Sequence, residues 1–245
     1  MWELGDYARI AELIASMGRD LVAAAGVRPG QRVLDVAAGT GNAAVPAART
    51  GADVTALDVT PRLLDDGRRA AGDLPITWVR GDAADLPFAD GEFDVVLSAV
   101  GAMFAADQEA TARELVRVCR PGGLVALANW TPDGGVGRFF ALLDRHRAGP
   151  PVGPAGPPPT RWGDPDQVRE LFGGLPVETE DRWVEYGFTG TPAGLAALYR
   201  SSFPPVIVTR AALDGDGLAA FDRDLVDLLT AENEGPPGGP GRWRF

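Results

Sequence analysis

Three acidic side chains stand where successive apolar stretches of the sequence end. Asp35 lies in the stretch 33–36, directly before the glycine-containing turn at 37–42, and Asp58 and Asp82 follow the next two stretches. Glycines let backbone N–H groups approach a ligand closely. A carboxylate after the second stretch can accept hydrogen bonds from both hydroxyls of a ribose. One after the third can accept from the exocyclic amine of adenine. The spacing therefore predicts a site for an adenosine-containing ligand.

Asp35 separates two kinds of adenosine ligand. The turn also fits the loose dinucleotide pattern Gly39-x-Gly41-x-x-Ala44, which is weak on its own. Beside a pyrophosphate Asp35 would add like-charge repulsion, whereas an ammonium and a sulfonium would favour its ionised form. S-adenosylmethionine carries both cations and no phosphate. A nicotinamide-dependent oxidoreductase stays the alternative, although it leaves Asp35 and Asp82 without a role.

The elements around these acids are predicted from the hydrophobic pattern. Helices are predicted at 8–25, 43–49, 61–71 and 108–119, and strands at 33–37, 54–57, 76–80, 93–99 and 124–129. Asn42, Thr60 and Asp107 are predicted to cap three of the helices. Strands that are apolar on both faces fit a parallel sheet covered by helices. We therefore predict an α/β fold with a doubly wound, mostly parallel, Rossmann-like sheet that binds its ligand at the carboxyl ends of the strands.

The second half of the chain has a different pattern, in which helices predominate and proline-rich segments interrupt them. Helices are predicted at 136–147, 193–202 and 211–232, with a short helix from Asp164 to about Phe172 and one further strand at 178–188. A proline-rich segment at 148–160 and a Gly/Pro linker at 235–241 interrupt them. We expect a core over 1–135, with 136–245 supplying cap helices, the proline-rich loop and an edge strand of the same domain.

These motifs resemble the class I S-adenosylmethionine-dependent methyltransferases, and among them the quinone-methylase-like branch, methyltransferase type 11. The matching motifs are Asp35-Val-Ala37-Ala-Gly39-Thr-Gly41, Asp58, Gly81-Asp82-Ala83, Phe93-Asp94-Val95-Val96-Leu97-Ser98 and Arg120-Pro121-Gly122-Gly123. Two departures stand out. Ala37 occupies the place of the family's usual first glycine, and the sequence stops at Phe245, where the family usually completes a final antiparallel strand.

The resemblance implies methyl transfer from S-adenosylmethionine by in-line displacement at the sulfonium. Orientation and proximity can supply roughly 7–11 kcal/mol to such a reaction, so no obligatory catalytic side chain is expected. The expected cofactor contacts are Tyr7, Asp35, Ala37, Gly39, Gly41, Asn42, Asp58, Val59, Asp82, Ala83 and Ala99. For Tyr7, a packing role is an equal alternative.

The acceptor side is expected after the fourth and fifth strands. Met103, Phe104 and Trp130 are the candidates for the wall of a substrate pocket, with ordinary core packing as the alternative. If the acceptor must lose a proton, His146 is the candidate catalytic base. A surface histidine at a helix end is the competing interpretation. Arg161 and Trp162 could close over a substrate, or belong to a passive loop.

The composition excludes several other chemistries. The 245 residues carry a formal net charge of −11, and all 23 basic side chains are arginine, which excludes Schiff-base and P-loop lysines. One histidine and one cysteine exclude a multi-histidine metal centre and an intrachain disulfide. We expect no metal. An acidic surface also argues against nucleic acid and anionic membranes as partners.

The remaining expectations concern location and partners. No apolar run approaches 18 residues, and charged side chains interrupt the start of the sequence, so we expect a cytoplasmic enzyme without a membrane segment. A small organic acceptor is expected, by family analogy a quinone or secondary metabolite, and a homodimer stays open. A cofactor-binding protein of the same fold, with a different or lost activity, is a further alternative.

Overall fold

The computed structural model describes residues 1–147, 157–236 and 240–245. Most of the proline-rich segment 148–160 and the middle of the linker 235–241 lie outside the described residues. The chain divides into two compact units. The described part of the first unit is 1–14, 131–147, 181–236 and 240–245, and that of the second is 15–130 and 157–180. The predicted arrangement of a core over 1–135 and a cap over 136–245 stays a prediction.

The bounds of the elements are as follows. The strands are β1 (Arg32–Val36), β2 (Asp53–Asp58), β3 (Ile76–Arg80), β4 (Phe93–Ala99) and β5 (Cys119–Ala128). The helices are α1 (Tyr7–Leu13), α2 (Ala15–Ala24), α3 (Ala44–Arg49), α4 (Pro61–Ala71), α5 (Gln108–Val118), α6 (Gly135–Arg145), α7 (Pro165–Leu171), α8 (Pro192–Ser202), α9 (Pro204–Ala211) and α10 (Gly215–Ala231). We call Ala102–Phe104 the first 3-10 helix and Pro159–Gly163 the second.

The second unit contains a five-stranded sheet in the order β3-β2-β1-β4-β5. Every strand pair is parallel, and α2, α3, α4 and α5 contact the strands. The side chains of Val33, Leu34 and Val36 on β1 are fully buried, as expected for a central strand covered on both faces. The predicted doubly wound α/β fold is confirmed. All five strands overlap their predicted ranges, but β5 begins at Cys119, five residues before its predicted start at Leu124.

The first unit consists mainly of helices α1, α6, α8, α9 and α10. An aromatic cluster lies among them, in which Phe139 stacks on Phe203 and meets Tyr199 edge-on. Trp243 is fully buried, and its indole N–H donates to the carbonyl of Leu229 at 2.8 Å. The final residues therefore help to hold this unit together.

Two predicted helices have different bounds in the structure. The helix predicted at 8–25 is α1 and α2, which meet at Ile14. The buried stripe continues on both sides of this break, so periodicity alone could not reveal it. The helix predicted at 211–232 is α10, preceded by α9 and a break in which Asp214 caps α10 by accepting from the amide of Gly217.

The strand predicted at 178–188 is wrong. This segment has one isolated antiparallel bridge, between Glu185 and Arg244. Val184 exchanges two backbone hydrogen bonds with Phe245, at 2.6 and 2.9 Å, and the amide of Tyr186 donates to Trp243. The backbone of residues 184–186 therefore forms its hydrogen bonds with residues 243–245, and no continuous strand forms. Separately, no helix among the described residues is both long and apolar enough to cross a membrane.

Candidate cofactor site

Asp35 lies at the carboxyl end of β1 and supports the start of α3. Its side chain is 1% exposed, and Oδ2 accepts a hydrogen bond from the amide of Ala44 at 2.8 Å. The prediction that Asn42 caps this helix is wrong, because Ala43 is the N-cap residue and makes no side-chain cap bond. A carboxylate near a helix N-terminus satisfies a free amide and interacts favourably with the helix dipole.

The second carboxylate oxygen of Asp35 is buried without a hydrogen-bond partner among the described residues. Burial raises the pKa of Asp35 from 3.8 to about 7; the bond from Ala44 opposes this shift, and the nearby charge of Asp58 adds to it. Burial therefore stabilises the protonated form of this carboxyl group. A cation next to it would favour the ionised form.

Asp58 connects the end of β2 to the glycine-containing turn. Its Oδ2 accepts from the amide of Gly39 at 2.9 Å, and its Oδ1 accepts from the amide of Thr60 at 2.8 Å. Burial raises the pKa of Asp58, and these amide bonds oppose the shift. The Thr60 side chain and the Val59 amide also hydrogen-bond to Asp58 and lower its pKa, so the two hydroxyls of a diol would bind it in place of some of these donors.

The turn that follows β1 has an unusual backbone at Ala37. Its φ is 54°, in the left-handed region that glycine favours, as is that of Val100 in the loop after β4 at 55°. A Cβ added to Gly101 would overlap the carbonyl oxygen of Ala37, and it would lie 2.7 Å from the Ala37 methyl. The methyl group that replaces the family's usual glycine therefore faces the loop after β4, where Gly101 leaves room for it.

Gly41 in this turn and Gly67 on α4 have no room for a side chain, because a tryptophan ring packs against both. Trp78 on β3 fills the space between the turn and α4, because a Cβ at Gly41 would lie 2.9 Å from its ring and one at Gly67 would lie 2.5 Å from it. At Gly39, by contrast, no atom lies within 4 Å of an added Cβ, so space is open beside the turn. Sequence analysis missed Trp78; its signal was a glycine in the middle of α4.

The tips of β2 and β3 carry the remaining predicted cofactor residues. Val59 directly follows Asp58 and is 55% exposed, which is unusual for a large apolar side chain. Asp82 is exposed, and its Oδ1 accepts from the amide of Ala84 at 2.9 Å. Ala83 is buried. Since β2 and β3 are paired in parallel, the edge after them presents an apolar side chain flanked by carboxylates.

The predicted acceptor residues lie in the same unit. Met103 is fully buried, Trp130 is 7% exposed, and Phe104 is half-buried. Ser98 at the end of β4 fixes this loop, because its hydroxyl donates to the carbonyl of Val36 at 2.7 Å and accepts from the amide of Ala102 at 2.9 Å. Ala99, beside it, is half-buried.

Tyr7 and His146 belong to the first unit. Tyr7 stacks on Phe203 with ring centroids 6.3 Å apart. His146 is the C-cap residue of α6, and its Nε2 lies 2.8 Å from Oδ2 of Asp224 on α10. Their predicted roles at the cofactor and the acceptor stay predictions. Among the described residues, no group of acidic, histidine and cysteine side chains could hold a metal ion.

Comparisons with known proteins agree with this fold. A family model described as a methyltransferase domain matches residues 34–127, which include Asp35, Asp58 and Asp82. This domain belongs to the class I S-adenosylmethionine-dependent methyltransferases, in the type 11 branch.

Individual relatives are similar over different lengths. An uncharacterized protein of Mycobacterium tuberculosis is 43% identical over 235 residues, which cover 93% of this chain and 85% of that protein. A demethylmenaquinone methyltransferase of Renibacterium salmoninarum is 43% identical over 113 residues, 46% of this chain and 47% of that protein. The YcgJ protein of Bacillus subtilis has a similar fold, with a TM-score of 0.58, 19% identity and 93% coverage of both chains.

Proposed function

We propose that this protein transfers a methyl group from S-adenosylmethionine to a small organic acceptor and releases S-adenosylhomocysteine. The observation that carries the proposal is the bond from the Gly39 amide to Asp58, which joins the glycine turn of β1 to the acid of β2 in one site. Family membership supports the same conclusion.

The residues present fit the cofactor. Asp58 is an acceptor at the end of β2, where ribose hydroxyls can replace a donor such as the Thr60 side chain, and the exposed apolar surface of Val59 suits the face of a purine. Asp82 is available to the exocyclic amine. The unpartnered oxygen of Asp35 suits the positive amino-acid end. The predicted contacts with the cofactor at Tyr7, Ala37, Gly41, Asn42, Ala83 and Ala99 are part of the same proposal.

The chemistry of transfer makes modest demands on the protein. Bound S-adenosylmethionine supplies an electrophilic methyl group. The side chains of the second unit bind and orient it: Asp58 holds the sugar, and the loop after β4, fixed by Ser98, forms one wall of the site. Orientation of this kind accounts for a large part of the acceleration of a two-substrate reaction.

The acceptor is proposed to be a small ring compound. The similarity to a demethylmenaquinone methyltransferase supports a quinone-like acceptor, although it spans only about half of each chain. Met103, Phe104 and Trp130 supply the apolar surroundings. If the acceptor loses a proton, His146 is the proposed base, with Asp224 fixing its Nε2. We then expect His146→Ala to lose most of kcat and to keep its affinity for S-adenosylhomocysteine.

The test of the cofactor site is a titration with S-adenosylhomocysteine followed by calorimetry. Asp58→Asn keeps the size of the side chain and removes the charge, so we expect binding at least about tenfold weaker. Asp53→Asn is the matched control, because Asp53 is an exposed carboxylate at the opposite end of the same strand. Equal affinity of the two variants would falsify the assignment of Asp58 to the ribose.

Binding measurements by calorimetry, together with detection of product, distinguish a methyltransferase from an oxidoreductase and from an inactive binding protein. Binding of NAD in place of S-adenosylhomocysteine would make the protein an oxidoreductase. Binding of S-adenosylhomocysteine, with none of it produced from S-adenosylmethionine across a panel of hydroxylated, amine and quinone acceptors, would indicate a binding protein that has lost transfer activity.

A further inference from the structure

Two buried polar atoms without partners lie in the layer over the carboxyl end of β4. This layer consists of the first 3-10 helix, the second 3-10 helix and the amino end of α5, all in the second unit. The two 3-10 helices contact each other, and the first contacts α5. In doubly wound sheets, ligands bind at the carboxyl ends of the strands, and β4 is the sheet neighbour of β1.

The two atoms belong to Gln108 and Trp162. Both residues are 2% exposed. The amide nitrogen of Gln108 donates to the carbonyl of Pro157 at 3.0 Å, but Oε1 of Gln108 and the indole N–H of Trp162 have no hydrogen-bond partner among the described residues. Leaving a buried donor or acceptor unpaired is costly, and native proteins rarely do so without a reason.

Poor packing of the segment does not explain these atoms. Arg161 is 10% exposed and donates to Glu109 on α5 at 2.5 Å and to Gln167 on α7 at 3.1 Å. The carboxylate of Asp164 accepts from two amides at the start of α7. The polar groups on both sides of Trp162 are therefore well paired.

We propose that Gln108 and Trp162 bind a hydroxyl-bearing aromatic ring of the methyl acceptor. This inference rests on the proposed function and specifies its substrate class. A hydroxyl can donate to Oε1 of Gln108 and can accept from the indole N–H, whereas an ether oxygen can only accept. The surroundings suit a ring, because Trp162 meets Phe172 edge-on at 6.0 Å and Met103 lies in the first 3-10 helix.

Access requires movement, since both atoms are sealed from solvent in this structure. The second 3-10 helix must shift away from α5 when the acceptor enters. Two polar contacts join this segment to α5: the Arg161–Glu109 pair and the bond from Gln108 to the carbonyl of Pro157. The energy lost in breaking them is offset when the ring hydroxyl pairs with Gln108 and Trp162.

The first experiment compares the same chemical change at two buried tryptophans. Trp162→Phe removes an unpaired N–H, so we expect the melting temperature of the free protein to hold or rise. Trp243→Phe removes an N–H that donates to Leu229, so its melting temperature should fall. A fall of the same size in both variants would show that the Trp162 N–H is satisfied in the free protein, and the proposal would be overturned.

The second experiment measures ligand binding by calorimetry on protein saturated with S-adenosylhomocysteine. The probes are 1-naphthol and 1-methoxynaphthalene. In the second compound a methyl group replaces the hydroxyl proton of the first. We expect the wild type and Trp243→Phe to prefer 1-naphthol by at least about tenfold. Gln108→Met removes the acceptor of the hydroxyl proton and should lose most of that preference, whereas Trp162→Phe should bind both probes more weakly.

Each outcome is decisive. Equal binding of the two probes by the wild type, absence of 1-naphthol binding, or an unchanged preference in Gln108→Met would overturn the inference and leave the proposed function intact. Failure of S-adenosylhomocysteine to bind in the saturation step would instead reject the proposed function.

Discussion

At the scale of single residues, Ala37 shows how the chain accommodates a departure from the family's glycine. Its left-handed backbone costs an L-residue about 1–2 kcal/mol relative to a right-handed conformation. The close approach of Gly101 to its methyl and carbonyl groups holds the residue there. The strain lies next to the cofactor site, where such outliers concentrate.

Ala37→Gly should therefore leave the free energy of unfolding unchanged or raise it by up to about 1 kcal/mol, because glycine adopts this conformation without strain. Ala38→Gly is the control, since Ala38 is buried beside it without a positive φ. It should lose about 0.5–1 kcal/mol. Urea unfolding measures both, and equal losses in the two variants would refute the strain at Ala37.

Asp35 makes stability depend on pH. Its pKa is about 7 in the folded protein against an ordinary 3.8, so the folded state holds more protons between about pH 4 and 7. The free energy of unfolding therefore falls as pH rises through that window, by an amount on the order of a few kcal/mol, and this contribution is constant above it. Asp35→Asn removes this slope.

The measurement is urea unfolding of the wild type and Asp35→Asn at pH 5 and pH 8. The pKa of Asp58 is also raised, but that residue is present in both proteins and largely cancels in the comparison. The difference between the two proteins should shift in favour of Asp35→Asn at pH 8. A difference independent of pH would mean that Asp35 titrates normally.

The sequence allows the acids to be located but not their partners. Asp35, Asp58 and Asp82 could be placed because parallel strands bring their carboxyl ends to one edge. The bond from Ala44 to Asp35 could not be predicted, since Asn42 is the better N-cap by residue type. The role of Trp78 depends on contacts with Gly41 and Gly67, which are distant in sequence and give no periodic signal.

At the scale of elements, the two units differ in how well the sequence predicts their secondary structure. The strands of the second unit are short apolar runs that alternate with helices, and this pattern predicted them well. In the first unit, residues 184–186 of the segment 178–188 pair with residues more than 50 positions away, at 243–245. A local sequence pattern does not show which distant residues a strand-like segment pairs with, or that this pairing covers only a few residues.

Those last residues should be essential to the first unit. Deletion of 243–245 exposes the site that Trp243 fills and removes three backbone bonds, to Val184 and Tyr186. Loss of a buried tryptophan alone costs about 3–5 kcal/mol, so we expect a large fall in the melting temperature. Arg242→Ala is the control, because its ion pair with Glu185 is exposed and worth about 0–1 kcal/mol. Similar melting curves for the deletion and the control would contradict the packing of Trp243.

At the scale of the whole molecule, charge distinguishes the substrate form of the cofactor from its product. The net charge of −11 creates a negative field around the protein, which attracts cations and is screened by salt. S-adenosylmethionine carries one positive charge more than S-adenosylhomocysteine, on its sulfonium. The buried carboxylates of Asp35 and Asp58 lie close to the proposed cofactor, where screening is weaker, so part of the attraction should survive at high salt.

We therefore expect the affinity for S-adenosylmethionine to fall between 20 mM and 500 mM NaCl, by about two- to tenfold, while that for S-adenosylhomocysteine changes much less. Calorimetric titration of both ligands at each salt concentration provides the comparison, with the uncharged-sulfur product as the internal control. Because both ligands share the adenosine and amino-acid contacts, any difference in salt dependence must come from the sulfonium charge. Parallel salt dependence of the two affinities would show that the protein's negative field does not reach the sulfur, and that the acidic composition plays no part in cofactor recognition.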